Sequence, residues 1–300
     1  MTTAWRSLLF VPADRPRYVQ KACASGADAV LLDLEDGVAA SAKEAARAAL
    51  ADAVGQLRAA GLDVAVRINR PWRLAVCDFE AAMLPGVRAV VLPKVPSGEH
   101  VRACAEVVGE LETERGLEPG SVALIALIET PSAVERVAEI ARASDRLVAL
   151  TLGVEDYAAA IGVPPSRDLL LGPASRLVNA ARAAGVQAFG AAGSVASYRD
   201  LPALADELAL ARRLGFTASY AIHPDQVGTI NAAFTPTEAE VERAQAVVDA
   251  YRAALDSGRG AVAVGGAMVD EPVYLQAVAT LLRAGAVDPT DRGTSATLGR

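Results

Sequence analysis

Eight short runs rich in Leu, Val, Ala and Ile recur along this chain, with stretches of helical periodicity between nearly every pair, and this alternation restricts the fold more than any other feature. The runs are SLLFVP (7–12), AVLLDLED (29–36), VAVRINR (64–70), AVVLPKV (89–95), ALIALIET (123–130), RLVALTLGVED (146–156), VQAFGAA (186–192) and SYAIHPDQV (219–227). They recur at about 25 to 35 residues, the length of one strand–helix unit. Helical segments fall at Ser41 to Ala60, Glu99 to Arg115, Ser132 to Ala143, Leu171 to Ala184 and Asp200 to Leu214, several followed by a glycine suited to a left-handed C-cap.

Eight strands alternating with helices either close into a barrel or stay an open, doubly wound sheet. No GxGxxG and no GxxxxGK[ST] follows any run, so the nucleotide signatures of the open sheet are missing. The polar residues decide the matter: Asp33, Glu35, Asp36, Arg67, Asn69, Arg70, Lys94, Glu129, Glu155, Asp156 and His223 all lie at or just past the C-terminal ends of their runs. A TIM (β/α)8 barrel carries its chemistry on that one face. Composition agrees, because 52% of the residues are hydrophobic and only 4% aromatic, which calls for a core of small and branched aliphatics such as parallel strands bury.

The 300 residues carry 29 Lys and Arg against 36 Asp and Glu, a formal charge of −7 that argues against general nucleic-acid affinity. No apolar run reaches the roughly 18 residues of a membrane span, and SLLFVP is too short for a signal segment, so the expectation is a cytoplasmic protein with no membrane partner. Cys23, Cys77 and Cys104 are odd in number and lack CxxC spacing, and they read as small core or helix residues. No GxSxG occurs, and the serines of GAAGSVAS, Ser194 and Ser197, have no evident base, which disfavours a serine hydrolase.

Past the eighth unit comes an amphipathic helix opened by Thr237 and Glu240, a capping-box pair. The Gly-rich stretch SGRGAVAVGGA then reads as a hinge, before an apolar helix and a polar tail. The expected division is a barrel over 1–257 and a C-terminal helical lid or flap over 258–300. The alternative is a final helix packed permanently on its own barrel.

Glu129 and Asp156 end consecutive runs, so in a barrel they project into one mouth, and two carboxylates are what Mg2+ takes when water and substrate oxygens complete its octahedron. The alternative is helix capping, although Thr130 is itself a good N-cap after Glu129. Arg67, if inward, turns Asn69 inward too, and either grips a carboxylate or enolate oxygen or forms a buried ion pair with Asp33 or Glu35. The acidic set Asp33, Glu35 and Asp36 then either positions basic groups on the rim or hydrogen-bonds metal-bound waters. His223 is a rim residue without a second His or Cys for zinc, and His100 reads as a surface helix residue.

Taken together, RSLLFVPADRPRYVQKA, DAVLLDLEDGV, VRINR, VVLPKV, LIET, LGVEDYAAAIG and GFTASYAIHPDQVGTINAAFTPTEAEVERA resemble, in order from about residue 6 to residue 280, the citrate lyase β-subunit and malyl-CoA lyase group of the HpcH/HpaI aldolases. The resemblance implies a Mg2+-dependent TIM barrel that makes or breaks a carbon–carbon bond beside a thioester. By position it makes Glu129 and Asp156 metal ligands and Arg67 the contact to substrate carboxylate or thioester oxygen. It matches Phe10, Arg15 and Lys21 to positions that hold the nucleotide end of coenzyme A, and Asp270 to the acid of a flap that moves the proton in a neighbouring subunit's site.

The implied reaction cleaves a 3-hydroxyacyl-CoA, such as malyl-CoA or citramalyl-CoA, to acetyl-CoA and a small oxoacid, in a homotrimer or hexamer. A citrate lyase β-subunit acting on citryl-acyl carrier protein, a malyl-CoA thioesterase and a non-catalytic binding barrel are the alternatives. The chain departs from the group in two places: Gly190 stands where many relatives carry an acid in the seventh strand, and Gly265, Gly266 and Ala267 replace the usual flap lead.

Overall fold

A computed structural model describes residues 5–194 and 198–286, so Ser197 and the polar tail lie outside the described residues. Each of the eight runs coincides with a strand, β3 and β4 beginning one and two residues before their runs: β1 (Ser7–Pro12), β2 (Ala29–Asp33), β3 (Asp63–Arg67), β4 (Val87–Leu92), β5 (Ala123–Ile128), β6 (Leu147–Leu152), β7 (Gln187–Phe189) and β8 (Ser219–Ala221). They pair in parallel in the order β7-β6-β5-β4-β3-β2-β1-β8. The ring closes where Phe189 bridges Ala218 and the N–H of Gly190 donates to the Ala218 carbonyl at 2.8 Å. This is the (β/α)8 barrel expected from the sequence.

Strand alternation sorts the core into two shells. Leu8, Leu31, Ala65, Val91, Ile125, Leu127, Phe189 and Tyr220 face inward and fill the barrel. Their neighbours Leu9, Val30, Leu32, Val64, Val66, Val90, Leu124 and Leu150 face outward against the helices. Truncating an inward leucine such as Leu31, fully buried, to alanine costs about 2–5 kcal/mol. Trp5 belongs to the inner cluster just before β1, and its indole N–H is held by Asp63 at 2.8 Å. The end where the strands begin is thereby plugged, which leaves the carboxyl ends free for a cavity.

Several strands are shorter than their runs. β2 stops at Asp33 and β6 at Leu152, because a helix, Val154–Ile161, starts at once after Gly153 and takes up Glu155 and Asp156 in its first turn. Asp156 therefore does not close a strand, as the sequence suggested, but sits on the helix that follows. The segment Ser132 to Ala143 forms two short helices, Pro131–Glu135 and Val137–Ala141, broken at Arg136. Helices Pro16–Ala22, Trp72–Ala82 and Asp225–Phe234 are additional to those read from periodicity. No described helix is long and apolar enough to cross a membrane.

The chain forms two compact units, Met1–Phe234 and the part from Thr235 onwards. Helix Glu238–Asp256, opened by the expected capping box of Thr237 and Glu240, falls in the second unit, whereas the sequence reading drew its boundary after residue 257. The Gly-rich stretch is a hairpin rather than a loose hinge: β9 (Val262–Val264) pairs antiparallel with β10 (Ala267–Val269). Gly265 at φ +56° and Gly266 at φ +83° make the tight turn, a conformation that favours glycine at both central positions. Helix Glu271–Arg283 packs beside Glu238–Asp256 through Tyr274 stacked on Tyr251, ring centres 4.9 Å apart, above Val248, Val269 and Leu281.

Candidate active site

A cavity of about 390 Å³ opens inside the first unit at the carboxyl ends of the strands, lined by Phe10, Asp33, Arg67, Glu129, Thr151, Asp156 and Tyr220 among others. The outlines of the site follow from strand register. Asp33 and Arg67 are register partners on β2 and β3, so their inward side chains meet directly. The guanidinium of Arg67 donates through Nε to Asp33 Oδ1 at 2.7 Å and through Nη2 to Oδ2 at 2.8 Å, the two-pronged geometry that fixes an arginine most firmly. Its remaining Nη1 lies 3.1 Å from Glu35 Oε2, within ion-pair reach but without hydrogen-bond alignment. One face of the guanidinium lies over the Phe10 ring, 4.9 Å from its centre.

Arg67 is thus half of the buried ion pair with Asp33 that the sequence offered as one reading, and it also lines the cavity. Burial alone pushes the Asp33 carboxyl up, but the Arg67 bonds and the N–H groups of Glu35 and Gly37 outweigh it and leave it below the usual range. Burial dominates at Glu35, whose carboxyl is raised despite Arg67 and Lys94. Asn69 does not join the cavity. Its amide donates to Asp78 at 2.6 Å and to the Leu34 carbonyl at 2.8 Å, so it locks the loop after β3 instead of facing substrate.

Glu129 follows β5 on the same inward phase as Ile125 and Leu127 and is only 2% exposed. Thr130, not Glu129, caps the next helix, accepting from the N–H of Ala133. Burial pushes the Glu129 carboxyl up to about 7, against the Lys94 main-chain donor and with help from Asp156 and Glu35. The main-chain N–H of Lys94 donates to Glu129 Oε2. Gly153 is required beside it: a Cβ there would stand 2.3 Å from Glu129 Cγ.

Lys94 ties the acidic rim together. Its ammonium lies 2.9 Å from Glu35, 3.4 Å from Asp36 and 3.4 Å from Asp156. Burial alone lowers the affinity of this amine for its proton, yet Glu35, Glu129 and Asp156 together raise it, so Lys94 stays charged. The sequence placed Lys94 on the rim without giving it a role. It also overlooked Gly153 and the Thr151 and Tyr220 hydroxyls, 3.0 Å apart on the cavity wall.

The donor set fits a magnesium ion. Among the described residues no three His, Cys, Asp or Glu converge as a closed metal site, but Glu129 and Asp156 offer hard oxygens into a cavity with room for water and substrate oxygens. Three carboxylates, those of Glu35, Asp36 and Asp156, gather around the Lys94 ammonium, and Glu129, bound by the Lys94 main-chain N–H, is raised by burial first and by Asp156 and Glu35 after it.

The other expected residues lie elsewhere. Phe10 is in the cavity wall, whereas Arg15 is exposed at the start of helix Pro16–Ala22, 3.5 Å from Asp14, and Lys21 is exposed in that helix's last turn. Asp270 caps helix Glu271–Arg283 in the second unit, accepting from the N–H of Val273. His223 stacks on Tyr198 and does not line the cavity. His100 is half-buried against Trp72 rather than on the surface, and burial pushes its imidazole down to about 4. Cys23, Cys77 and Cys104 are free, on or at the end of helices.

The sequence pattern of the family described as HpcH/HpaI aldolase/citrate lyase matches residues 6–224. Citrate lyase subunit beta of Escherichia coli strain K12 is 36% identical over 289 residues, covering 94% of each chain. A (3S)-malyl-CoA thioesterase of Cereibacter sphaeroides is 31% identical, over 94% of this chain and 95% of that one. The crystal structure of protein CitE from Mycobacterium tuberculosis in complex with magnesium, acetoacetate and coenzyme A is 34% identical and superposes with a TM-score of 0.76, covering 95% of this chain and all of that one.

Proposed function

Because the chain belongs to the HpcH/HpaI aldolase/citrate lyase family, we propose that it is a Mg2+-dependent carbon–carbon lyase acting on a 3-hydroxyacyl-CoA that carries a carboxylate, such as malyl-CoA or citramalyl-CoA, and yielding acetyl-CoA and an oxoacid. The observation that carries this reading is the cavity itself, in which Glu129 and Asp156 stand with an Arg67 already oriented by Asp33. The solved relative bound to magnesium, acetoacetate and coenzyme A supports the same ligand classes here.

Glu129 and Asp156 hold the ion, which when bound supplies Lewis acidity at substrate oxygens. Arg67 binds and stabilises the oxygen that gains negative charge as the carbon–carbon bond breaks. Its two bonds to Asp33 fix it before reaction, so little reorganisation is needed as that charge develops. Asp33, Glu35 and Asp36 support the basic groups, and Phe10 supports Arg67 from below. Asp270 delivers the proton to the acetyl carbon, or removes it in the condensation direction. Phe10, Arg15 and Lys21 serve the coenzyme, and the reading includes a homotrimer or hexamer in which Asp270 serves a neighbour's site.

Two relatives give the second reading its substance: one is named for citrate lyase, the other for thioester hydrolysis. Incubating the protein with Mg2+ and a panel of thioesters, with products identified by mass spectrometry, separates the cases. Acetyl-CoA plus oxoacid supports the lyase; free malate and coenzyme A indicate a thioesterase; turnover confined to carrier-bound citryl groups indicates a citrate lyase subunit. Glu129→Gln removes Mg2+-dependent turnover under the proposed reading, and full activity in that variant overturns it.

A further inference from the structure

Two hydroxyls on the cavity wall share one hydrogen bond and so keep one proton undirected. Thr151 Oγ1 and Tyr220 Oη are 3.0 Å apart, on residues only 4% and 7% exposed. Each hydroxyl has the other as its hydrogen-bond partner in the protein. Two O–H groups and one bond leave one O–H over, whichever of the two donates. A buried donor without an acceptor is unfavourable, so this proton needs an oxygen that no described residue provides.

Topology explains why the hydroxyls meet and why they face the cavity. Thr151 lies on β6 in register with Phe189 of β7, and Phe189 bridges Ala218, two residues before Tyr220. The pair therefore spans the closing seam of the barrel on its inner face. Gly190 sits next on that seam and covers the pair with no side chain; a Cβ there would come within 3.8 Å of Thr151 Cγ2. The Tyr220 ring leans on Phe10 with centres 5.3 Å apart, and Arg67 lies on Phe10, so the spare proton and the guanidinium belong to the same chamber as Glu129.

We propose that the Thr151–Tyr220 pair is a substrate-binding element that donates its remaining hydrogen bond to a carboxylate oxygen of the oxoacid portion. This rests on the lyase reading above and adds to it the residues that hold the acid end. A bond from a buried neutral donor to a carboxylate is strong enough that losing it weakens binding about tenfold or more.

The test uses the full chain with Mg2+ and pyruvate as the probe, measured by calorimetry alongside KM and kcat for the best thioester. Tyr220→Phe and Thr151→Val each remove one hydroxyl, and Thr151→Ser retains one. The expected result is that at least one of the first two variants raises the pyruvate Kd and the KM about tenfold or more, with kcat changed less than about threefold. Thr151→Ser should bind as the parent does. Circular dichroism and the melting temperature confirm folding of each variant, and the double variant Thr151→Val with Tyr220→Phe replaces both hydroxyls by apolar groups if a single one unfolds. If the folded variants bind pyruvate as tightly as the parent while the parent cleaves thioesters, the hydroxyl assignment is overturned and the lyase reading stands. If the parent binds no pyruvate with Mg2+ and cleaves no thioester, both are overturned.

Discussion

The main-chain N–H of Lys94 donates to Oε2 of Glu129 from a backbone at φ +47°, a left-handed conformation that no other described non-glycine residue adopts. Such strain persists only where surroundings over-determine it. Here they do: the Lys94 carbonyl accepts from Arg70 at 3.2 Å, and its ammonium is gripped by Glu35. Lys94→Met keeps the N–H and removes the charge among three carboxylates, so we expect a loss of about 1–3 kcal/mol in EDTA, recovered in part by Mg2+. Denaturant titration with and without the ion measures both. Equal stability of parent and variant in EDTA would show that the ammonium is not needed as a counter-ion.

Gly153→Ala tests the close approach on the other side of Glu129. The added methyl falls 2.3 Å from Glu129 Cγ, too near for any real contact, and the helix Val154–Ile161 that carries Asp156 begins at the next residue. Either the carboxylate or the helix start must move, at a cost of about 1–3 kcal/mol. Mg2+ binding by calorimetry should weaken at least about tenfold, since displacing one ligand by even 1 Å disturbs an ion that demands near-ideal geometry. Unchanged Mg2+ affinity would separate Gly153 from the metal position.

How far the sequence reaches is clear from these residues. The barrel was legible because each strand is an apolar run and each polar rim residue follows one, a pattern set by burial alone. Glu129 was legible for the same reason. Asp156 was identified but misplaced, because LTLGVED continues the apolar run through Gly153 and hides the point where strand gives way to helix. Alternation turns the Asn69 side chain inward, but the strand ends at Arg67, and Asp78, arriving from the helix Trp72–Ala82, captures it. The left-handed Lys94 has no local signature in Pro-Lys-Val. The Thr151–Tyr220 contact was invisible because it exists only once β7 and β8 close the ring, and no local pattern encodes a pairing between residues 69 apart.

The raised carboxyl of Glu129 makes a pH prediction whose sign is fixed. Burial, with Asp156 and Glu35, lifts it from 4.5 to about 7, so the folded chain binds this proton more tightly than the unfolded chain. Its contribution to stability is complete below pH 4.5 and disappears as the pH rises through 7, a difference of about 3 kcal/mol. In EDTA the melting temperature should therefore fall between pH 5 and pH 8, and saturating Mg2+ should raise it more at pH 8 than at pH 6. Glu129→Gln should flatten both trends. A Mg2+ gain that is the same at both pH values would remove Glu129 from the ion's ligands.

Asp270 allows capping and chemistry to be separated. Its carboxylate accepts from the N–H of Val273 and so satisfies one free donor at the start of helix Glu271–Arg283. Asparagine caps as well as aspartate does but cannot exchange a proton at neutral pH, whereas alanine does neither. Asp270→Asn should keep the melting temperature of the parent and lose at least about 100-fold in kcat, the range expected when a general acid or base is removed. Asp270→Ala should show the same loss of turnover and in addition about 1 kcal/mol of lost helix stability. Exchange of the acetyl-CoA methyl protons with deuterated water, followed by NMR, isolates the proton-transfer step. If Asp270→Asn exchanges as fast as the parent, Asp270 is a cap and nothing more, and the proton carrier must be sought among the acids of the barrel rim.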